Sequence, residues 1–118
     1  VVHSQDGLDE ISLSAPTDVI DVIDGTVSGA FVIRPEKLGL AFAGSAIPKV
    51  KNAQESAEIV RAVLEGRETG AAADAVILNA AAGAVVSGRV SDINRGIDLM
   101  RDAISGDKAK DLLARFSR

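Results

Sequence analysis

An α/β chain is predicted, with strands and a hairpin in the first third followed by about four helices. Three observations predict it. Positions 1–33 are crowded with alternating and β-branched residues, while 52–118 carry apolar residues at helical spacing between recognisable caps. The third is the leading pair Val1-Val2, which suits a strand buried on both faces, as in a parallel sheet. Strands followed by helices would ordinarily indicate α+β. A parallel neighbour requires a crossover, so the missing neighbours are expected upstream of Val1. The absence of an initiator Met at that apolar start points the same way, to a fragment.

Within the first third, Ile11-Ser12-Leu13-Ser14 alternates as a half-buried strand does. Val19-Ile20-Asp21-Val22-Ile23 is rich in residues that pack well on a pleated surface. Asp24-Gly25 then supplies the positive φ angles of a two-residue hairpin turn. The returning strand runs from Thr26 to Ile33, with Gly29 marking a bulge or a close backbone approach. Arg34-Pro35 stops it, because proline cannot donate to a central ladder. Pro35-Glu36-Lys37-Leu38 starts a single helical turn ended by Gly39. Residues 34–51 are read as a connection in which Leu40, Phe42 and Ile47 pack, with the chain turning at Gly44, Pro48 and Lys51.

Asn52 and Glu55 have the spacing of a capping box for a first helix. Ala53, Ala57, Val60 and Leu64 form its apolar stripe, and Gly66 its end. Asp74 is expected to cap a second helix over 75–86, apolar nearly all round and therefore buried on most sides. Its Ala80-Ala81-Ala82-Gly83-Ala84 run is small enough for neighbouring backbones to approach closely. A third helix, capped by Ser91, places Ile93, Ile97, Met100 and Ile104 on one face and stops at Gly106. A short fourth, capped by Asp107, is expected to bury Leu112, Leu113 and Phe116.

Composition narrows the function classes. With 47% hydrophobic residues and a net charge of −4 over 118 residues, a folded domain is expected in place of a disordered segment. No cysteine is present, so disulfides and thiolate metal sites are excluded. No apolar run reaches the roughly 18 residues of a membrane span. No signal-peptide pattern is visible either, which makes the cytoplasm the default compartment. Residues 1–33 carry six acids and no Lys or Arg, which disfavours binding to a nucleic-acid backbone and suits a hard cation or plain solvation.

One loop concentrates the chemistry: His3-Ser4-Gln5-Asp6-Gly7-Leu8-Asp9-Glu10, directly after the leading strand. Ligands of open α/β sheets bind beyond the carboxyl ends of strands, where this loop would lie. Asp9 and Glu10 are oxygen donors suited to Mg²⁺, provided that Gly7 turns the chain so both approach one cation. Spacing alone does not require a metal. Two charges roughly 6 Å apart repel by about 0.7 kcal/mol in water and about 3 kcal/mol at an effective dielectric of 20, which solvent tolerates. His3 is the only histidine, and the simpler reading makes it a hydrogen-bonded core residue rather than a base. Ala82-Gly83-Ala84 and Ser87-Gly88 match no phosphate-binding loop and are read as packing and capping. Arg89, Arg95 and Arg101, six residues apart, rotate around the helix and are read as solvated.

At this loop the chain resembles a known family. Val1-Val2-His3 followed by Asp6-Gly7-Leu8-Asp9-Glu10-Ile11-Ser12 is similar to the VVHG-x-DGLDE-x-S pattern of anthranilate phosphoribosyltransferases. Pro35-Glu36 with Leu38-Gly39-Leu40 looks like that family's PED-x-GL. Arg61-Ala62-Val63-Leu64-Glu65-Gly66 and Asp74-Ala75-Val76-Ile77-Leu78-Asn79-Ala80-Ala81-Ala82 resemble its RAVLEG and DAVLLNAAA stretches. Ser4 and Ser56 depart from the family, which usually has Gly and Asn there.

The resemblance implies the C-terminal part of a nucleoside phosphorylase/phosphoribosyltransferase-type three-layer domain. Its pieces are 1–33 (strands and metal loop), 34–51 (connection) and 52–118 (helices). The activity implied is transfer of phosphoribose from phosphoribosyl pyrophosphate to anthranilate, releasing pyrophosphate, in tryptophan biosynthesis. By position, Asp9 and Glu10 become the acidic pair that holds Mg²⁺. The family's GTGGD loop, KHGN segment and N-terminal helical domain have no counterpart in these 118 residues. This chain alone is therefore expected to be inactive, and the parent to dimerise through the missing domain. The fragment itself is expected to self-associate through the unpaired edge of its leading strand. Alternative readings are a pyrimidine nucleoside phosphorylase-like transferase and a non-catalytic nucleic-acid-binding paralogue.

Overall fold

The computed structural model describes residues 1–40 and 48–116; the expected packing of Phe42 and Ile47 and the turn at Gly44 lie outside them. Three strands, β1 (Val2–Ser4), β2 (Thr17–Ile23) and β3 (Thr26–Ile33), precede four helices: α1 (Ala53–Leu64), α2 (Ala71–Val86), α3 (Ile93–Ser105) and α4 (Lys108–Phe116). The strands-then-helices order is as expected. Val1–Ala46 and Ile47–Arg118 form two compact units.

In the first unit the sheet order is β1-β2-β3, and both pairings are antiparallel. Asp24 (φ 50°) and Gly25 (φ 76°) both take left-handed backbone, as a tight hairpin between β2 and β3 requires. The register slips by one between Asp21↔Gly29 and Val22↔Val27, which leaves Ser28 as the extra residue of a bulge. Gly29 thus marks a bulge and not a close approach, since a methyl group there would meet open space. β3 ends at Ile33, and Pro35–Lys37 forms one 3₁₀ turn closed by Gly39 at φ 65°.

Two strand expectations need correction. β1 is not buried on both faces: Val2 is half-buried, Ser4 is buried and His3 is exposed. Side chains alternate along a strand, so Val2 and Ser4 share the inward face with Val19 and Thr17 opposite them. His3 lies opposite Asp18 on the other face. Within the described residues His3 is thus at the surface and not in the core. Ile11-Ser12-Leu13-Ser14 forms no strand, and Ile11, Ser12 and Leu13 are all buried. A strand would have turned Ser12 outward, but its hydroxyl is held inside by polar partners.

In the second unit, α1 begins at Asn52, whose side-chain oxygen accepts the Glu55 amide at 2.9 Å. The box closes one residue early, because the Glu55 carboxylate accepts from the Lys51 amide (2.8 Å) instead of from Asn52. Gly66 (φ 70°) ends the helix, with Gly66 N–H donating to Val63 and Arg67 N–H to Ala62, a Schellman arrangement. The apolar stripe is displaced by one residue from the expected one. Val63 is buried and Ile59 packs with it, against Ala72, Ala73, Val76 and Ile104, while of the expected stripe Ala53, Ala57 and Val60 are exposed and Leu64 alone is half-buried. One residue is a rotation of about 100°.

α2 starts four residues before the expected 75–86, at Ala71 with Gly70 as N-cap. Asp74 lies within the first turn, where its charge suits the helix dipole, and its Oδ1 is 4.0 Å from the Arg101 guanidinium. Leu78 and Ala81 are fully buried, whereas Ala80, Gly83 and Val86 are exposed. Ser87 and Gly88 do cap it, with Gly88 N–H donating to Val85 and Arg89 N–H to Ala84. α3 is capped by Asp92, not Ser91: the Asp92 carboxylate accepts the Arg95 amide at 3.0 Å and the Ser91 hydroxyl at 2.9 Å. A carboxylate accepts more strongly than a hydroxyl, so the adjacent Ser supports the cap. Ile97 is buried, and Ile93, Met100 and Ile104 partly so, as their spacing predicts. On α4, Leu113 is half-buried, but Leu112 (50%) and Phe116 (80%) stay exposed, contrary to expectation.

Candidate functional site: an acidic loop closed on two strands

The loop between β1 and β2 is fastened at its base by the Ser4↔Thr17 pairing. Just beyond it the chain folds back, with Ser4 N–H donating to the Leu8 carbonyl (3.0 Å) and Gly7 N–H to the Ser4 carbonyl (2.9 Å). Gly7 has φ 92°, a backbone few other residues adopt, so the turn expected of it is there. Gln5 fixes the same end, its amide donating to Pro16 (2.9 Å) and its side chain to Asp18 Oδ1 (3.2 Å). Ser4, where the resembled family has Gly, is fully buried, and its hydroxyl lies 3.4 Å from the Pro16 carbonyl.

The far side is fastened by Ser12. Its hydroxyl donates to Asp6 Oδ2 at 2.7 Å and accepts the Ser14 amide at 2.9 Å. The Ser12 amide in turn donates to Thr17 Oγ1 at 3.1 Å. The Asp6 carboxylate also accepts the Leu8 amide through Oδ1 at 3.4 Å. The hydroxyls of Ser12 first, then Ser4, hold the Asp6 carboxyl below the ordinary carboxylate value, against a smaller opposing effect of burial. Buried Ile11 and Leu13 flank this anchor.

Asp9 and Glu10 stand between the two anchors. Both are exposed, the backbone bends at each, and neither carboxylate has a hydrogen-bond or ion-pair partner among the described residues. Cationic side chains are absent from the loop and from both of its strands. No cluster of three or more metal-ligating side chains occurs among the described residues. A cation held here would draw its other ligands from water or from a substrate's oxygens. The predicted pair is thus presented to solvent, while His3 makes no part of it.

Asp6, Ser12 and Thr17 are given no site role by the sequence pattern. Their signal is three hydrogen-bonding side chains around Ile11 and Leu13, obscured because Ser12 also fits an alternating strand.

Comparison with known proteins places the chain. The glycosyl transferase family, a/b domain, matches residues 1–110. An anthranilate phosphoribosyltransferase of Thermomicrobium roseum is 48% identical over 98% of this chain and 34% of its own length. One from Azorhizobium caulinodans is 40% identical over all of this chain and 34% of its own. Among solved structures, the anthranilate phosphoribosyltransferase of Thermus thermophilus superposes with a TM-score of 0.86 at 34% identity, covering 98% of this chain and 33% of that one. The Saccharomyces cerevisiae enzyme, in complex with 4-fluoroanthranilate, gives 0.87 at 23% identity over the same shares, a likeness of fold. The chain spans about a third of the length of these relatives. With its α/β elements in the predicted order and a family match over nearly all its residues, this chain belongs to the glycosyl transferase family, a/b domain.

Proposed function

We propose that this chain is the part of an anthranilate phosphoribosyltransferase that holds the metal on the pyrophosphate side of the reaction. The whole protein would transfer phosphoribose from phosphoribosyl pyrophosphate to the amine of anthranilate, releasing pyrophosphate, a step of tryptophan biosynthesis. The observation that carries this reading is the exposed Asp9–Glu10 pair, without a partner among the described residues, on a doubly anchored loop in a chain 48% identical to an enzyme of that name.

The donors fit Mg²⁺, which takes one or two carboxylates, keeps several waters and completes its shell with substrate phosphates. Asp9 and Glu10 would hold it, and when bound it offsets the negative charge that develops on departing pyrophosphate. No Lys or Arg lies within the first 33 residues to compete with a cation for the two carboxylates. The same acidity is unsuited to a nucleic-acid backbone. Anthranilate-binding groups, dimerisation and the bulk of the phosphoribose site are assigned to the remaining two thirds of the relatives' length. No helix among the described residues is long and apolar enough to cross a membrane. A cytoplasmic location accords with that and is proposed with it.

The test is to assay the whole protein containing this chain against two substrate pairs. Formation of phosphoribosyl-anthranilate from anthranilate and phosphoribosyl pyrophosphate is expected, with no phosphorolysis of thymidine. Thymidine cleavage without anthranilate turnover would replace this reading with a pyrimidine nucleoside phosphorylase.

A further inference from the structure

Asp6 is the residue of the loop whose role no family resemblance assigns. It does not stand with Asp9 and Glu10 as a free carboxylate. Its Oδ2 accepts the Ser12 hydroxyl at 2.7 Å and its Oδ1 the Leu8 amide at 3.4 Å, so the side chain spans the loop from one anchor to the other. Ser12 is itself buried and fixed twice more, by the Ser14 amide on its hydroxyl and by its own amide on Thr17 Oγ1. Thr17 is fully buried and is the first residue of β2. A continuous chain of hydrogen bonds therefore runs from the sheet through Thr17 and Ser12 to Asp6 and the Leu8 amide. The residues between Leu8 and Ile11 are the two acids.

We propose that Asp6, through the hydrogen bond it accepts from Ser12, is a positioning residue that fixes the backbone of Asp9 and Glu10 for a divalent cation. A pair of carboxylates on a mobile loop would have to be ordered on binding, whereas a braced pair is ordered beforehand. The inference rests on the proposed metal role of Asp9 and Glu10, and its test separates the two.

Mn²⁺ alone serves as the probe, titrated into the whole protein and followed by the loss of the free-ion electron paramagnetic resonance signal. Asp9→Asn and Glu10→Gln report on the metal role itself. Asp6→Ala and Ser12→Ala each remove the brace, and each is expected to weaken Mn²⁺ binding roughly tenfold, within the range of outer-shell partners of metal ligands. The double variant is expected to lose less than the two single losses combined, because both remove the Ser12–Asp6 bond. Asp6→Asn keeps an oxygen that accepts from Ser12 and is expected to restore most of the affinity, which a lost metal ligand would not allow. It also covers the case in which Asp6→Ala fails to fold. If Asp9→Asn weakens binding while Asp6→Ala and Ser12→Ala leave it unchanged, the brace is overturned and the metal pair stands. If Asp6→Asn is as weak as Asp9→Asn, Asp6 is a ligand and the positioning role is wrong. If Asp9→Asn and Glu10→Gln change nothing, the metal reading falls and this inference with it.

Discussion

Gly96 of α3 lies directly against Ala81 of α2. A methyl group built on Gly96 would sit 2.8 Å from the Ala81 carbonyl oxygen and 2.9 Å from its Cβ. The obstacle is partly backbone, so no side chain can turn aside to make room. Both residues are buried. The small-residue run of α2 is thus used for close approach at Ala81, and the partner that makes it possible is a glycine on the other helix.

Gly96→Ala is therefore expected to destabilise the protein. Overpacking a close contact costs roughly 1–3 kcal/mol, partly offset by up to about 1 kcal/mol of helix propensity. Gly83→Ala is the control, since a methyl group there meets open space in an exposed helical position. It should stabilise by about 0.5–1 kcal/mol. Urea midpoints of the two variants against the parent decide it: shifts of the same sign would refute the helix contact.

The face of α1 gives a second expectation. Val63→Ala opens the cluster with Ala72, Ala73 and Ile104 and should cost roughly 2 kcal/mol in lost burial and cavity. Val60→Ala, on the exposed side, should stay within about 0.5 kcal/mol of the parent. Thermal unfolding of both variants checks the assignment, which reverses if Val60 is the costlier site.

That displaced stripe also shows what was legible in the amino-acid pattern. Hairpin, bulge, proline stop and glycine caps were all readable, because each depends on a local backbone demand that few residues meet. The order of elements followed from them. The choice between Val60 and Val63 did not, since both belong to apolar sets of helical period, and only the packing of Ala72 and Ala73 decides between them. Similarly, the motif singles out Asp9 and Glu10, and their proposed metal role rests on it. The Asp6–Ser12 bond was hidden because Ser12 is polar and buried, which an alternating pattern assigns outward. Leu112 and Phe116 show the same limit, for amphipathic spacing names a face without naming what covers it.

Acid should remove two local supports. The Asp6 carboxyl is lowered chiefly by Ser12, and that of Asp92 chiefly by the Arg95 amide. A carboxyl lowered by folding stabilises above its unfolded value, 3.8 for both, and loses that contribution as pH falls through the lower folded value. The stability difference between the parent and Asp92→Asn should stay constant from about pH 8 to 5 and shrink below 3.8. Urea unfolding at stepped pH measures it, and a difference that changes near neutrality would contradict the cap.

The hairpin exposes Ile20, Val22, Ile23, Val27, Phe31 and Val32, each more than 40% accessible. Such an apolar surface, next to the edge of β1 that has no partner among the described residues, favours association. The isolated 118-residue chain is expected to sediment as dimers or larger species at high concentration, and Phe31→Lys to lessen this. A strictly monomeric profile would count against it.

The proposed role of Asp9 and Glu10 is to hold the divalent cation of a phosphoribosyl transfer. Its most direct test is the Mg²⁺ dependence of phosphoribosyl-anthranilate formation by the whole protein and its Asp9→Asn and Glu10→Gln variants. Each variant is expected to need at least about tenfold more Mg²⁺ for half-maximal rate. An unchanged Mg²⁺ dependence in both variants would contradict it.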